Sequence, residues 1–529
     1  MRGTSAIPLQ IPTAGIHAEA PPHLIPPNAL SSGSNMFVDI DGTLKPRRGY
    51  ARVHPAGVDE RVIGGLNFAQ SNSSRQTIVA TLTGFWIDTG AQWQQLSPGP
   101  GRNASADAPV RIIPYFGNGA MHAVSCDFND QLADWDGNSP VYTILTNSPV
   151  SRDVAALNER VVCAYTIEAG APFPRRVRWS ALLDQTTWPT LGFLDLSDRD
   201  DPIVSIRPLG LTQAAVYGEK SIYILSASPG DDANAFVAQE IFSAYGYPGP
   251  ISTAAVTAVG GLHYYMAQDA RIYTFDGINA PQPISTAIDA LLQPLVAVSF
   301  GTRCHSSYLP SLQYVVFYFP GSGSQDCNYA AAFHLPTGRW EPLWNFANDF
   351  VTCSFSAINE TTLTWQNDPY TWQTSPYVWN SIPDTQSLGI SIGTTDGEIS
   401  NFFVGSVDDN APIAFDAYGP LISLGPNKVE LVDRLELYTP QSASAEFVTI
   451  AFEGFGSPYS MPTPILALAQ DLSSSQWLNR QAPPGPLASA NIMVNYLRLG
   501  IFSTGAPSFA MGGGTVWLNT DDRFDYGSE

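Results

Sequence analysis

An all-β fold is predicted for this chain: a β-propeller of six or seven blades over residues 36–405, followed by a β-sandwich over 406–529. Three observations lead there. Short runs of β-branched and aromatic residues are separated by Gly, Asp or Asn turns, and groups of these runs recur every 50 to 60 residues without strict identity. Helical periodicity of three turns or more is almost missing. Two stacked β-sandwiches are the competing architecture.

Residues 1–35 carry prolines at 8, 12, 21, 22, 26 and 27 with almost no period, which predicts an extended arm lying on another part of the protein. The next segment, MFVDIDGTLKPR (36–47), reads as a hairpin with Asp41-Gly42 at the positive-φ positions of its turn. TIVATLTGFWIDTGAQWQQL (77–96) divides into three strands at Thr83-Gly84 and Thr89-Gly90. GLHYYMAQDARIYTFDG (261–277) repeats that layout, with turns at Gln268–Ala270 and Asp276-Gly277. In 313–344 the pair Thr337-Gly338 precedes a Trp-bearing strand, and in 388–403 Asp396-Gly397 is the expected hairpin turn. RVVCAYTI (160–167), RRVRWSAL (175–182) and AAVYGEKSIYIL (214–225) fit the same mould, and the one helix expected is STAIDALLQPL (285–295), ended by Pro294. After SVDDNAP (406–412) the strands lengthen: 428–439, 446–455, 491–502 and 514–520, with the Pro-rich 480–490 as a loop.

Composition narrows the function classes. The chain has 529 residues, of which 44% are hydrophobic and 14% charged, as a globular protein requires. Its 47 acids against 25 bases give a net charge of −22, and Lys occurs only at 45, 220 and 428. Such a surface repels the DNA backbone, which excludes non-specific nucleic-acid binding through clustered cations. The five cysteines (126, 163, 304, 327, 353) are odd in number and widely spaced, which predicts buried reduced thiols rather than disulfides or zinc. No apolar run reaches the roughly 18 residues of a membrane span, and the first fifteen residues lack the apolar core of a signal peptide. A soluble protein made in a cytoplasm is the expectation.

Catalytic motifs are scarce. Asp39, Asp41, Gly42, Thr43 and Leu44 match the nucleophile pattern that resembles haloacid-dehalogenase phosphatases, in which the first Asp attacks phosphorus and magnesium bridges both carboxylates. That chemistry requires a parallel strand followed by a helix and further α/β units. Here KPRRGYARV comes next, a return strand, so the motif is read as turn chemistry. Asp195, Asp198, Asp200 and Asp201 lie within reach of one hard cation, but no Gly turn and closing Glu complete a calcium loop, and a solvated acidic turn is expected. His305 beside Cys304 is too little for a dyad. No catalytic residue, cofactor or metal site is assigned. The tandem PYTWQTS (369–375) and PYVWNSI (376–382) offers evenly spaced aromatics: Trp365, Tyr370, Trp372, Tyr377 and Trp379 are candidate contacts for a partner or a glycan, or else cap the edge of a blade.

Several landmarks in order resemble the tail-hub proteins of short-tailed bacteriophages, also called nozzle or packaged-DNA stabilisation proteins. These are the entry segment NMFVDIDGTLKPRRGYARV (35–53), ALNERVVCAY and RVRWSALLDQTTWPT (within 156–190), AAVYGEKSIYILSAS (214–228), GGLHYYMAQDARIYTFDGINAPQPIS (260–285), and VNYLRLGIF with TVWL (494–502, 515–518). The resemblance spans most of the chain, and the order of the landmarks carries it. It implies a virion structural protein, not an enzyme. Six copies would form a ring below the portal and the head-to-tail adaptor, in contact with spike, fibre or needle proteins. The ring would close and then conduct the genomic DNA during ejection, without specific binding and without a membrane span. A carboxylate-rich wall would let the duplex slide. The alternative is a carbohydrate-binding or carbohydrate-active propeller with the tandem as its sugar platform.

Overall fold

The computed structural model describes residues 3–520 except 11, 70–74, 98–100, 197–199, 230–231, 242–245, 347–349, 361–385, 410, 424–429, 438–445, 456, 462, 472–495, 507–508 and 513. The chain is all-β, and its strands fall into antiparallel sheets that succeed one another along the sequence.

Seven sheets in succession begin with a meander of three or four strands. The first comprises Val62–Ala69, Arg75–Thr81, Phe85–Asp88 and Trp93–Gln95, and the second Arg111–Gly117, Ala120–Cys126, Ala133–Trp135 and Thr143–Ile144. The third comprises Val150–Leu157, Arg160–Glu168, Ala171–Trp179 and Phe193–Asp195, and the fourth Ile203–Pro208, Gln213–Gly218, Ile222–Ala227 and Phe236–Glu240. Val256–Val259, Leu262–Met266, Ile272–Phe275 and Gln282–Pro283 make the fifth. His305–Leu309, Tyr314–Phe319, Tyr329–His334 and Arg339–Trp340 make the sixth, with Trp344–Asn345 added beside Tyr329–His334. The seventh contains Val351–Glu360, Gln386–Thr394 and Ile399–Phe402, and its next strand comes from the other end of the chain: Tyr50–Arg52 pairs antiparallel with Ile399–Phe402.

Local chemistry explains these hairpins. Gly90, Gly277, Gly338 and Gly397 all have φ between 68° and 85°, the left-handed turn conformation that glycine takes at no steric cost. Strand alternation then gives each sheet two apolar faces, and each face packs on a neighbour. Ile78, Phe85, Ile112 and Trp135 join the first sheet to the second, and Ile113, Val124, Val154 and Val161 join the second to the third. Val162, Trp179, Val216 and Leu225 join the third to the fourth. The series continues to Val62, Val79, Cys353 and Phe355, which join the seventh sheet back to the first. The packing order is therefore cyclic, and the first strands of successive sheets lie side by side around one centre.

The segment Asp289–Leu295 is helical as expected, preceded by a 3-10 turn at Thr286–Ile288. It ends at Leu295, one residue past Pro294, as the expected span does.

The C-terminal residues form two further sheets, and the N-terminal segment contributes to both. Gly3–Leu9 pairs with Gly514–Thr520, which also pairs with Glu430–Leu437. Ser32–Ser34 pairs with Phe415–Tyr418, which continues through Tyr496–Ser503, Phe447–Phe455 and Thr463–Asp471. Gly3–Leu9 is an edge strand, the position in a sheet where a proline such as Pro8 is tolerated.

The hairpin Met36–Val38 with Leu44–Pro46 sits between the two halves. Met36, Val38 and Leu44 pack with Phe415, Ile450, Leu499 and Met511, whereas Phe37 faces Tyr318, Trp344 and Phe402.

Candidate functional site

The Asp-Gly-Thr motif is the first candidate. Asp39 N–H donates to the Thr43 carbonyl and Gly42 N–H to the Asp39 carbonyl, each at 2.9 Å, which closes a tight turn with Gly42 at φ 78°. Asp41 does not share the positive φ expected for it; its side chain instead accepts from Thr43 N at 2.9 Å. Lys45 Nζ lies 2.7 Å from a carboxylate oxygen of Asp39 and of Asp41. The Lys45 and Thr43 hydrogen bonds hold the Asp41 carboxyl down at about 2. Both carboxylates are therefore bonded within a two-stranded antiparallel hairpin, not set at the end of a parallel strand.

The other polar candidates also resolve into local structure. Asp195 is bidentate with Arg176 at 2.8 Å, Asp201 accepts from Lys220 N at 2.9 Å and from the Ser221 hydroxyl, Asp200 is exposed, and Asp198 is outside the described residues. Among the described residues no group of three or more His, Cys, Asp or Glu could hold a metal, and no helix is long and apolar enough to cross a membrane. All five cysteines are free and buried. Trp365, Tyr370, Trp372, Tyr377 and Trp379 all lie outside the described residues.

His305 meets a different cysteine from its sequence neighbour. Its Nδ1 is 3.2 Å from the Arg303 carbonyl and 3.8 Å from Cys327 Sγ. Burial pushes the Cys327 thiol well above its ordinary value and brings His305 down to about 4, so both groups stay neutral and no thiolate–imidazolium pair forms. The unfolded chain takes up this proton near pH 6.5, before the folded one does, so stability is complete above pH 6.5 and is withdrawn as the pH falls toward 4. His305 is 3% exposed, and about 3 kcal/mol is expected from it alone. Chemical unfolding at pH 7 and pH 4.5 will show a clearly smaller difference in His305→Gln than in the parent. Equal differences would refute the assignment. His263, also brought to about 4 by burial, acts in the same direction. His122, raised by its hydrogen bond to Asp134, acts in the opposite one.

The most elaborate constellation lies at the centre, where the first strands of the sheets meet. Arg61, Arg111, Arg152, Arg207 and Arg303 each stand on or beside such a strand. Sequence reading misses them, although RVI (61–63), RII (111–113) and RDV (152–154) repeat one theme at successive sheets. Arg207 is 2% exposed; its Nη1 donates to Asp153 Oδ2 at 2.5 Å and its Nη2 to the Thr253 carbonyl. Asp153, fully buried, also accepts from Ser205 Oγ at 2.8 Å and Ile206 N at 2.9 Å. This knot ties the third and fourth sheets to the connection entering the fifth.

A second knot crosses the centre. Arg303 Nε donates to Asp107 at 2.7 Å and its Nη1 to Asp326 at 2.9 Å, while Arg61 also donates to Asp326. Asp107 precedes the second sheet and Arg303 the sixth, so their contact bridges elements that are not neighbours in the cycle. A cavity of about 110 Å³ lies alongside, lined by Asp107, Phe128, Arg152, Ser252, Thr253 and Thr302 among others. This arrangement is suited to fastening sheets together.

Outside the centre, carboxylates dominate. Most of the 25 basic residues stand in ion pairs, including Arg47 with Asp408, Arg102 with Asp127, Arg178 with Glu168 and Arg498 with Glu453. Asp136, Asp195, Asp200, Asp269, Asp276 and Asp396 are exposed.

No family model matches the chain, and no curated protein matches it. Among solved structures, the crystal structure of the computationally designed Ika8 protein is similar at 9% identity and a TM-score of 0.36, covering 70% of this chain and 93% of that one.

Proposed function

We propose that this chain is a structural, non-enzymatic component of a short-tailed phage virion. In this reading it is a seven-bladed β-propeller with a C-terminal β-sandwich, made in the host cytoplasm and assembled, six copies to a ring, as the tail hub below the portal and adaptor. The ring would meet the spike, fibre or needle proteins and would close and then conduct the genome.

One observation carries this reading: the landmarks of the resemblance fall on successive sheets. RVVCAY and RVRW lie on the second and third strands of the third sheet, AAVYG and IYILSA on the middle strands of the fourth, and LHYYM and IYTF on those of the fifth. The entry segment supplies a hairpin and then the strand that completes the seventh sheet. Its Arg-Arg-Gly run (47–49) has a physical reason at both ends. Arg47 is clamped by Asp408, Asn35 and the Asn345 carbonyl, and a Cβ on Gly49 would stand 1.8 Å from the Val407 carbonyl oxygen.

The genome path in this reading runs between copies. A duplex does not pass through a centre bridged by Arg303 and Asp107, and that centre is rich in arginine, so the carboxylate-rich wall belongs to an outer face. Multi-angle light scattering and negative-stain microscopy, with and without portal and adaptor rings, test the proposal. A closed ring near six copies, free or templated by the adaptor, is expected. A monomer indifferent to those rings would overturn it.

A further inference from the structure

Exposed apolar side chains crowd one end of the second to fifth sheets. In an antiparallel meander the turn between the first and second strands lies at the same end as the turn between the third and fourth. At that end Phe116, Leu182, Leu183, Leu211, Leu262 and Ile278 are all exposed, Leu211 at 90% and Ile278 at 79%. The turns touch one another. Asn118 N–H donates to the Leu183 carbonyl at 2.8 Å, Leu183 N–H to the Glu159 carbonyl at 2.9 Å and Asn158 N–H to the Leu211 carbonyl at 3.0 Å. A Cβ on Gly277 would stand 2.8 Å from Leu209 Cδ1, so the series continues to Ile278. The opposite turns, between the second and third strands, include Asn129-Asp130, Glu168-Ala169-Gly170, Glu219-Lys220 and Gln268-Asp269, and among the described residues they expose no large apolar side chain. Single exposed leucines are ordinary on a surface, whereas a connected group confined to one end marks an interface.

Charge indicates what covers it. The described charged residues of these turns, Asp136, Glu159, Asp184, Asp232 and Asp276, are all acids. Arg160, at the start of the strand that follows Glu159, is buried and paired with Asp232. A second copy matches this face poorly, because it brings the same carboxylates, a net charge of −22 and bases that mostly stand in ion pairs already. An anionic membrane is repelled in the same way. The complement is an apolar surface set among lysines or arginines. At the sixth sheet the same end is already occupied, by the chain's own hairpin, whose Val38 carbonyl accepts from Tyr314 Oη at 3.2 Å and from Arg339 Nη2 at 2.6 Å.

We infer that this end of the second to fifth sheets is the docking surface for a different protein, one that presents apolar side chains among lysines and arginines. The inference stands apart from the virion reading, in which that protein would be a neighbouring tail component.

Fluorescence anisotropy of the full chain with a labelled amphipathic peptide of leucine and lysine, at about 0.15 M salt, tests it. A peptide of leucine and glutamate is the control. The lysine peptide should bind and the glutamate peptide should not. Leu211→Ser with Ile278→Ser should weaken binding roughly tenfold or more. Glu159→Gln with Asp276→Asn should weaken it less and flatten its salt dependence. Val298→Ser, exposed elsewhere, should leave it unchanged. Hydrogen exchange of the parent should slow at residues 116–119, 158–159 and 209–212 when the lysine peptide is added, which keeps the test decisive if a variant fails to fold. Equal binding by the Leu211 and Ile278 variant, equal binding of the two peptides, or exchange slowed elsewhere would overturn the surface. Self-association of the parent that the same double variant abolishes, or binding to anionic lipid vesicles that it abolishes, would overturn the choice of partner.

Discussion

Asp153→Ala will destabilise the chain by about 3–5 kcal/mol, measured as a lower guanidinium midpoint with an unchanged slope. The residue is fully buried and does three things at once. It neutralises Arg207, satisfies the Ser205 hydroxyl and the Ile206 N–H, and joins the third sheet to the fourth. Truncation leaves the guanidinium of Arg207 buried, with only the carbonyls of Ile206, Thr253 and Val256 as acceptors. Such a removal carries the penalty of an uncompensated charge, which is much larger than the net value of the pair. Replacing both partners, as Asp153→Leu with Arg207→Met, should therefore recover much of the loss, and the cycle should show strong coupling. A loss below about 1 kcal/mol in the single variant would show that the centre is open to water.

The sheets are legible in the sequence because their turns are written locally. Thr89-Gly90, Asp276-Gly277, Thr337-Gly338 and Asp396-Gly397 each mark a place where the backbone needs a positive φ, and strands alternate on either side of them. The strand Thr463–Asp471 is not legible: Pro464 and an Ala-Leu run fit neither a strand nor a helix pattern, and its place is set by pairing with Phe447–Phe455. The arm of residues 3–35 shows no period because backbone pairing with distant strands places it. The central arginines escape for a related reason. Each is isolated in sequence, and only the cyclic packing of the sheets brings Asp107 to Arg303 or Arg207 to Asp153. For the phosphatase-like motif the residues just beyond it decide the reading, since chemistry at Asp39 would need a scaffold that KPRRGYARV cannot form.

Removing residues 1–53 should abolish cooperative folding of the whole protein. The seventh sheet would lose Tyr50–Arg52, exposing Ile399–Phe402 as an edge, and Met36, Phe37, Val38, Leu44 and Tyr50 would leave two apolar clusters. All five are at most 2% exposed, and each contributes about 1.5–3 kcal/mol by burial. Together they rival the roughly 5–15 kcal/mol that separates a folded domain from its unfolded state. Two buried charges would also lose partners: Asp408 its bidentate bond to Arg47, and Glu341 its bond from the Val38 N–H. The sheets pack in a cycle, so loosening the seventh also exposes Val62 and Val79 of the first, and the damage should not stay local. Hydrogen exchange is the decisive reading. In the truncated chain, slow amides should vanish from all seven sheets, and a synthetic peptide of residues 30–53 added in trans should restore them, because it returns both the hairpin and the closing strand. Protection lost only in the seventh sheet, with a cooperative melt close to that of the full chain, would show that the other six sheets stand without the closing strand.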